Sequence, residues 1–476
     1  MIDGLKSYPA TKDSGVSWLG KVPKHWELRK LGQCGLTRGG MTPSMDIRRF
    51  WDGAIPWVTP KDMKRAAIDD STVRVTDAAI QETSLRVIDP PAILMVVRGM
   101  ILARRVPIAW TNAPVTINQD MKALIPTQGI SAEFLARLLD AAQEAFVPLI
   151  DEAGHGTRRL PTERWRNLAV AIPPQDEQAA LVRFLNHADR RIRRYIRAKQ
   201  KLTKLLEEQK QAIIHHTVTR GLDGNVRLKP SDVAWLGEIP EHWEVRRNGR
   251  LFVQRNQTGF GELPILEVSL RTGVRIREFG NAARKQVMSD RDKYKRAVAG
   301  DITYNMMRMW QGAVGIAPAD GLVSPAYVVA IPLDDVDVRY FNYLFHTSSY
   351  MSEVDNSSRG IVKDRNRLYW EDFKQICSLY PPKDEQTRIA DAIDAISIII
   401  DRAVARITQD IALLHEYRTR LTADVVTGKL DVREAATNLP VEADESEVAE
   451  EPEVVVEGEE LAAEGELDPE ELIEAA

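Results

Sequence analysis

Cysteine is scarce in this chain: two among 476 residues, Cys34 and Cys377. That is too few for a disulfide framework or a cysteine-built metal cluster. The eight histidines are scattered, and the one adjacent pair, His215-His216, cannot share a helix face, so no metal site is expected. No run of about 18 apolar residues occurs, which argues against a membrane span. The opening MIDGLKSYPATKDSG has neither the basic head nor the apolar stretch of a signal peptide, so a soluble, cytoplasmic chain is expected. A phosphate-cradling loop of glycine, four residues and Gly-Lys-Ser/Thr is also missing, which excludes a self-powered translocation motor. The phrase DPPA at Asp89–Ala92 lacks the aromatic that would stack on a flipped base, and no glycine-rich cofactor loop precedes it. Carboxylates are plentiful but show no fixed pairing that would mark a nuclease. No catalytic, cofactor or metal residue is therefore assigned.

The net charge of -5 hides an uneven distribution. From Val441 to Ala476 the chain holds sixteen acidic residues and no lysine or arginine, leaving 64 basic against 53 acidic residues in the rest. A positive body is compatible with a nucleic-acid partner. The acidic tail reads as disordered, because like charges repel and little apolar surface is available to bury.

What the chain does have is repetition. SGVSWLGKVPKHWELRKLG, from Ser14, returns as SDVAWLGEIPEHWEVRRNG from Ser231, with eleven of nineteen positions identical. PPQDEQ at Pro173 returns as PPKDEQ at Pro381, an offset of 208, and TRGLD (219–223) is matched by TGKLD (427–431). The chain therefore reads as an internal duplication. In each unit a Trp-Leu-Gly phrase precedes a variable block, then a PPxDEQ phrase and a long helix. Trp18, His25, Trp26, Trp235, His242 and Trp243 are assigned to the shared framework.

Steps of four and three predict one apolar stripe on each helix. In the first it comprises Leu181, Leu185, Ile192, Leu202, Leu206 and Ile213, with Ala188, Tyr195, Lys199, Gln209 and His216 filling the rest. In the second it comprises Ile389, Ile393, Ile396, Ile400, Ile407, Leu414 and Leu421, with Ala403, Asp410, Tyr417 and Asp424. Such stripes are coiled-coil seams. The polar positions Lys199, Gln209 and Asp410 either specify alignment or fall where the pair frays or meets another protein. A rod of about 41 residues is roughly 60 Å long, whereas the connector from Gly221 to Ser231 reaches only about 36 Å extended. An antiparallel pair needs no such return.

The expected fold is α/β: two mixed α/β domains separated by a long antiparallel two-helix coiled coil, with a pseudo-two-fold duplication. The boundaries are 1–172, 173–223 for the first helix, 224–380, 381–431 for the second helix, and 432–476 for the acidic tail. The variable blocks carry short β-rich stretches punctuated by turn residues, with a helix near 131–145 and another near 338–350. Exposed polar and basic loops there could read base edges or phosphates. The candidates are Arg38, Ser44, Lys61, Arg104, Arg158 and Arg159 in the first block, and Arg255, Asn256, Arg271, Arg308 and Arg359 in the second. Each is equally an ordinary solvated side chain on sequence grounds. Trp57 and Trp310 either pack a loop or stack on a base.

Taken together, WLGKVPKHWE and WLGEIPEHWE, GGMTPS with GAIPWVTPKDM, LEVSLRTGV, DGLVSPAYVV, and the paired PPQDEQ and PPKDEQ resemble the specificity subunit of type I restriction-modification enzymes. The resemblance covers about residues 12–431. It implies a non-catalytic, sequence-specific subunit that binds double-stranded DNA through two target recognition domains, each reading one half of a split target. Because the two heads differ, the implied target is asymmetric. It implies two modification (methyltransferase) subunits as partners, transferring a methyl group from S-adenosylmethionine to adenine. It also implies restriction subunits that cleave DNA with ATP. S-adenosylmethionine, ATP and Mg would reside on those partners. A non-catalytic scaffold whose duplicated domains bind protein is the alternative.

Overall fold

The computed structural model describes residues 5–152, 157–270, 273–277, 291–360 and 366–440. The expected acidic tail from Val441, and Arg271, lie outside the described residues. Two compact units result: the described residues up to Lys199 joined by those from Gln409, and Gln200–Thr408.

The first unit is built on a five-stranded sheet in the order Gly35–Gly39, Met121–Pro126, Ala92–Val96, Ile108–Thr111, Ala67–Ile68. The unbroken apolar run AILMV is the middle strand, and all five of its side chains are buried. An uninterrupted run of that kind suits a strand covered on both faces. Next to the sheet lies the helix Ala132–Ala141, capped by the Ser131 side chain, which accepts the Phe134 N–H; Phe134, Leu135, Leu138 and Leu139 face the core. A three-stranded sheet, Thr116–Ile117, Trp51–Val58 and Arg74–Val75, completes the head.

The first copy of the repeated phrase closes this unit at its helical side. Trp26 is fully buried, and its Nε1–H donates to Glu177 Oε1 at 3.0 Å. The Tyr8 hydroxyl donates to the same oxygen at 2.5 Å, and His25 Nε2 meets Glu177 Oε2 at 2.7 Å. Glu177, from the PPQDEQ phrase, is itself only 5% exposed. The next residue, Gln178, accepts the Ser131 N–H and donates to the Gly129 and Pro173 carbonyls, tying the helix start to the head. Thus the two repeated phrases touch: one supplies the donors and the other the carboxylate. Beyond the second long helix, Lys6 bridges to Asp431, and Arg433 sits over the Tyr8 ring while pairing with Asp431. The Arg433 hydrogen bond holds the Asp431 carboxyl below the usual carboxylate range.

Gly428 shows how tightly that end is packed. Its φ is +75°, and a Cβ there would stand 2.3 Å from Pro23 Cδ and 3.2 Å from Trp26 Cη2. Alanine would meet both left-handed strain and backbone-anchored atoms. Gly428→Ala is therefore expected to lower stability by about 2–4 kcal/mol, read as a fall in the urea midpoint; an unchanged midpoint would refute the contact.

In the second unit four antiparallel strands run in the order Phe252–Arg255, Tyr327–Pro332, Ile302–Asn305, Val314–Ile316. Helices Val338–Phe345 and Ser348–Ser357 pack on it, joined at Phe252 by Phe341, Phe345 and Phe373. Gln386 repeats the part of Gln178: it accepts the Asp337 N–H and donates to the Pro381 carbonyl. Glu385 binds His242 at 2.8 Å. The buried Trp243 indole N–H, however, finds no acceptor among the described residues. Trp235 packs edge-on to Tyr350, 5.4 Å between centroids, and Trp18 lies half-buried against the first core.

The long helices are Gln175–Arg220 and Lys383–Val426. In the second, Ile389, Ile393, Ile400, Ile407 and Leu421 are buried, and Ile396 and Leu414 half-buried. The first departs from the expected stripe. Leu181, Leu185 and Ile192 are buried and Leu206 and Ile213 half-buried, but Leu202 is 46% exposed and Tyr195 54%. From Ile192 the inward track steps to Ile196, Lys199, Thr203 and Leu206 instead. The seven-residue repeat holds through Ile192, Lys199, Leu206 and Ile213, and the alternate inward position moves one residue on, to Ile196 and Thr203. Leu202 is thereby corrected from seam to surface. Among the polar positions, Lys199 pairs with Asp410 at 2.8 Å, whereas Gln209 is exposed. Arg418 pairs with Asp189 at 3.1 Å in the first unit, and Lys210 with Asp401 at 2.8 Å in the second.

Candidate nucleic-acid interface

Several strands of the first head end together at one turn, Asn118–Asp120. In its sheet, Gly39 lies opposite Lys122 and Val96 opposite Met121, so the neighbouring strands finish where this one begins. Strands Thr116–Ile117 and Trp51–Val58 run parallel and end at the same place. Backbone hydrogen bonds then lace the loops to the turn. Met41 N–H donates to Ile117, Asn118 N–H to Val58, and the Val97 and Arg98 N–H groups both donate to Asp120. The Asn118 side chain accepts the Asp120 N–H at 3.1 Å, an arrangement that fixes a tight turn. Gly40 passes so close that a Cβ would stand 2.0 Å from the Asn118 carbonyl oxygen. The short strand Arg158–Arg159 joins through Gly99 N–H to the Arg158 carbonyl and a bridge between Arg98 and Arg159.

All six first-block candidates sit on these converging segments. Arg38 is exposed near the end of the edge strand, and Ser44 is exposed on the following loop, its carbonyl accepting the Trp51 indole N–H. Lys61 is exposed on a loop held by Asp62, which accepts from the Thr59 N–H and hydroxyl at 2.7 and 2.8 Å. Arg104 is exposed on the turn after Met100–Ala103, with Arg159 exposed and Arg158 half-buried nearby. Arg158 stands 3.8 Å from Glu152. Trp57 is a packing residue: 8% exposed, it gives its indole N–H to the Met41 carbonyl. Sequence reading missed Arg98, Gln119 and Lys122 at this place. Their signal was the end of the run AILMVV and the turn-forming NQD.

The second head gathers its candidates less completely. Strand Phe252–Arg255 ends, and Ile302–Asn305 ends, beside the start of Tyr327–Pro332, after a turn in which Tyr327 N–H donates to Ser324. Asn256 is exposed there. Arg255 serves the fold instead, because its guanidinium holds Asp301 at 2.7 and 3.2 Å, and the two side chains are 15% and 4% exposed. Arg308 is half-buried in the turn after Asn305. Arg359 is exposed, pairs with Asp372 and bridges Arg367. Trp310 gives its indole N–H to the Met307 carbonyl. Lys295, whose ammonium donates to the Tyr327 carbonyl, is buried enough that its pKa falls below the ordinary lysine value. Arg367 was missed, although it lies at the duplication offset of 208 from Arg159.

The first head thus presents cationic and amide side chains outward at the ends of its sheet strands, and the second presents Asn256 at the corresponding strand ends. Such a surface suits a polyanion whose edges carry donors and acceptors. Burial pushes the Cys34 thiol up to about 11. Among the described residues no helix is long and apolar enough to cross a membrane.

Comparison with known proteins agrees with this geometry. Residues 23–204 match the family model described as the type I restriction modification DNA specificity domain. The chain is 32% identical over 164 residues to the EcoR124I/EcoR124II specificity subunit of Escherichia coli, covering 34% of this chain and 41% of that one. It is 30% identical over 236 residues to the MjaIX specificity subunit of Methanocaldococcus jannaschii, covering 48% and 52%. The aligned parts thus span about half the length of these relatives or less. Among solved structures, a chain from work on complex assembly and conformational transition of the type I R-M system superposes with a TM-score of 0.63 at 14% identity, covering 86% of this chain and 99% of that one. The HsdS subunit from Thermoanaerobacter tengcongensis gives 0.51 at 16%, covering 86% and 98%. These two likenesses speak to the fold, which is mixed α/β. Residues 23–204 resemble a DNA specificity domain of the restriction-modification class. Over that part the chain is similar to type I restriction-modification specificity subunits.

Proposed function

We propose that this chain is the non-catalytic, sequence-specific DNA-binding subunit of a type I restriction-modification complex, recognising a bipartite, asymmetric target. The observation that carries the reading is the cluster of cationic side chains around the Asn118–Asp120 turn, a surface built from five converging strands. Each head acts as a target recognition domain, 1–172 and 224–380. The helices, 173–223 and 381–431, form an antiparallel two-helix coiled coil that spaces them. The ion pairs support that direction: as one index rises from Asp189 to Lys199 to Lys210, its partner falls from Arg418 to Asp410 to Asp401. An internal duplication is supported by recurring contacts, His25–Glu177 beside His242–Glu385 and Gln178 beside Gln386.

The partners in this reading are double-stranded DNA, two modification subunits and restriction subunits, in the cytoplasm. S-adenosylmethionine, ATP and Mg reside on the partners, which methylate adenine and cleave. Two weak readers on one spacer raise each other's effective concentration, so both halves must be present for tight binding. Single-molecule methylation mapping of cells expressing the chain with its modification subunits tests this. One split motif with unlike halves is expected; a contiguous motif, or none, overturns the reading.

A further inference from the structure

Met100 is the most exposed large apolar side chain among the described residues, at 77%, and it is not on a loose loop. It opens the turn Met100–Ala103, whose Leu102 is buried at 2%. Gly99, with φ +136°, donates its N–H to the Arg158 carbonyl, while the preceding Arg98 and Val97 N–H groups donate to Asp120. The turn is therefore pinned on both sides and holds an apolar tip outward. Around it the neighbouring segments present Arg98, Arg104 and Arg159, all exposed, and half-buried Arg158. The surroundings are cationic.

An apolar tip with exposed arginines on its own and the adjoining segment matches one kind of surface well. On a duplex, phosphates form rails on either side of a groove and base edges lie between them. Guanidinium groups suit the rails. A thioether offers no strong hydrogen bond, so the one feature of a major-groove edge it can read is the 5-methyl group of thymine. Resting on the DNA-recognition reading above, we infer that Met100 is a specificity-determining residue that contacts a thymine methyl in the half-site read by the first unit. The arginines around it supply phosphate contacts and position it, without sequence choice of their own. A methylated adenine always faces a thymine, so each half-site offers at least one such methyl.

The test uses the full chain in complex with its modification subunits and duplexes carrying the mapped motif, with each thymine replaced in turn by uracil. Uracil removes the methyl and leaves base pairing intact. Binding is followed by fluorescence anisotropy at fixed salt. At one thymine, uracil is expected to weaken wild-type binding about fourfold, the equivalent of one buried methyl-sized group. Met100→Ala should lose a similar factor on thymine DNA and be indifferent to uracil at that position, while Met100→Leu should retain the discrimination. Wild-type binding insensitive to every uracil, or Met100→Ala still sensing the same one, overturns the inference. So does a loss in Met100→Ala confined to association with the modification subunits, which would make the tip a protein contact. Failure of wild type to bind any split duplex would instead fault the underlying reading, and the two failures are thereby separated.

Discussion

Replacing Glu177 with leucine is expected to destabilise the first unit by about 3–5 kcal/mol, whereas Glu385→Leu in the second should cost about 1 kcal/mol. The two residues hold the same place in the repeated PPxDEQ phrase, so sequence alone would rank them equal. Their surroundings differ. Glu177 is 5% exposed and accepts from three donors: the Tyr8 hydroxyl, the Trp26 indole and His25. Removing it leaves the Trp26 N–H and Tyr8 O–H buried without an acceptor, and each such group costs about 1–3 kcal/mol. Glu385 is 16% exposed on its side chain and among the described residues its carboxylate bonds to His242 alone, which is half open to solvent; Trp243 already lacks an acceptor among those residues. Little is orphaned when it goes. Glu177→Gln keeps one acceptor oxygen for Tyr8 and Trp26 and should recover most of the loss. Urea unfolding of the three variants reads the order directly. Equal losses at 177 and 385 would mean that the buried donors contribute nothing.

This contrast marks how far the sequence could be read. The repeated His-Trp and Asp-Glu-Gln phrases were legible as framework, and the contact between them explains why they recur together. The third donor was not. Tyr8 stands outside both phrases, and nothing at the corresponding place of the second unit advertises its absence. Helix periodicity was legible in the second helix, where inward positions follow the anticipated stripe. It failed at Leu202 because steps of four and three can be taken in either order from Ile192, and the helix turns Ile196 and Thr203 inward where the stripe placed Tyr195 and Leu202. The head candidates are basic and polar residues in turn-rich loops, and in the first head strand ends bring them to one place. Arg255 shares those local features, yet Asp301, 46 residues away, claims its guanidinium. Pairing across such a separation is set by sheet register. Local composition carries no trace of it.

Seven residues inserted into both long helices, after Lys204 and after Ala405, are expected to lengthen the gap of the target by about three base pairs and leave both halves unchanged. The insertion adds two helical turns, so the inward track and the outward face keep their phase on either side. Seven residues at about 1.5 Å each add roughly 10 Å, and base pairs rise about 3.4 Å along the duplex. The matched sites lie between the Lys199–Asp410 and Lys210–Asp401 ion pairs, so neither pair is broken by the change. Inserting the same residues into one helix alone shifts one partner of a pair by two turns, and methylation should be lost rather than respaced. Methylation mapping of the double and single insertions separates these outcomes. A double insertion that still methylates at the original spacing would show that something other than these helices sets the gap, and the spacer role would fall while the recognition role of the heads stood.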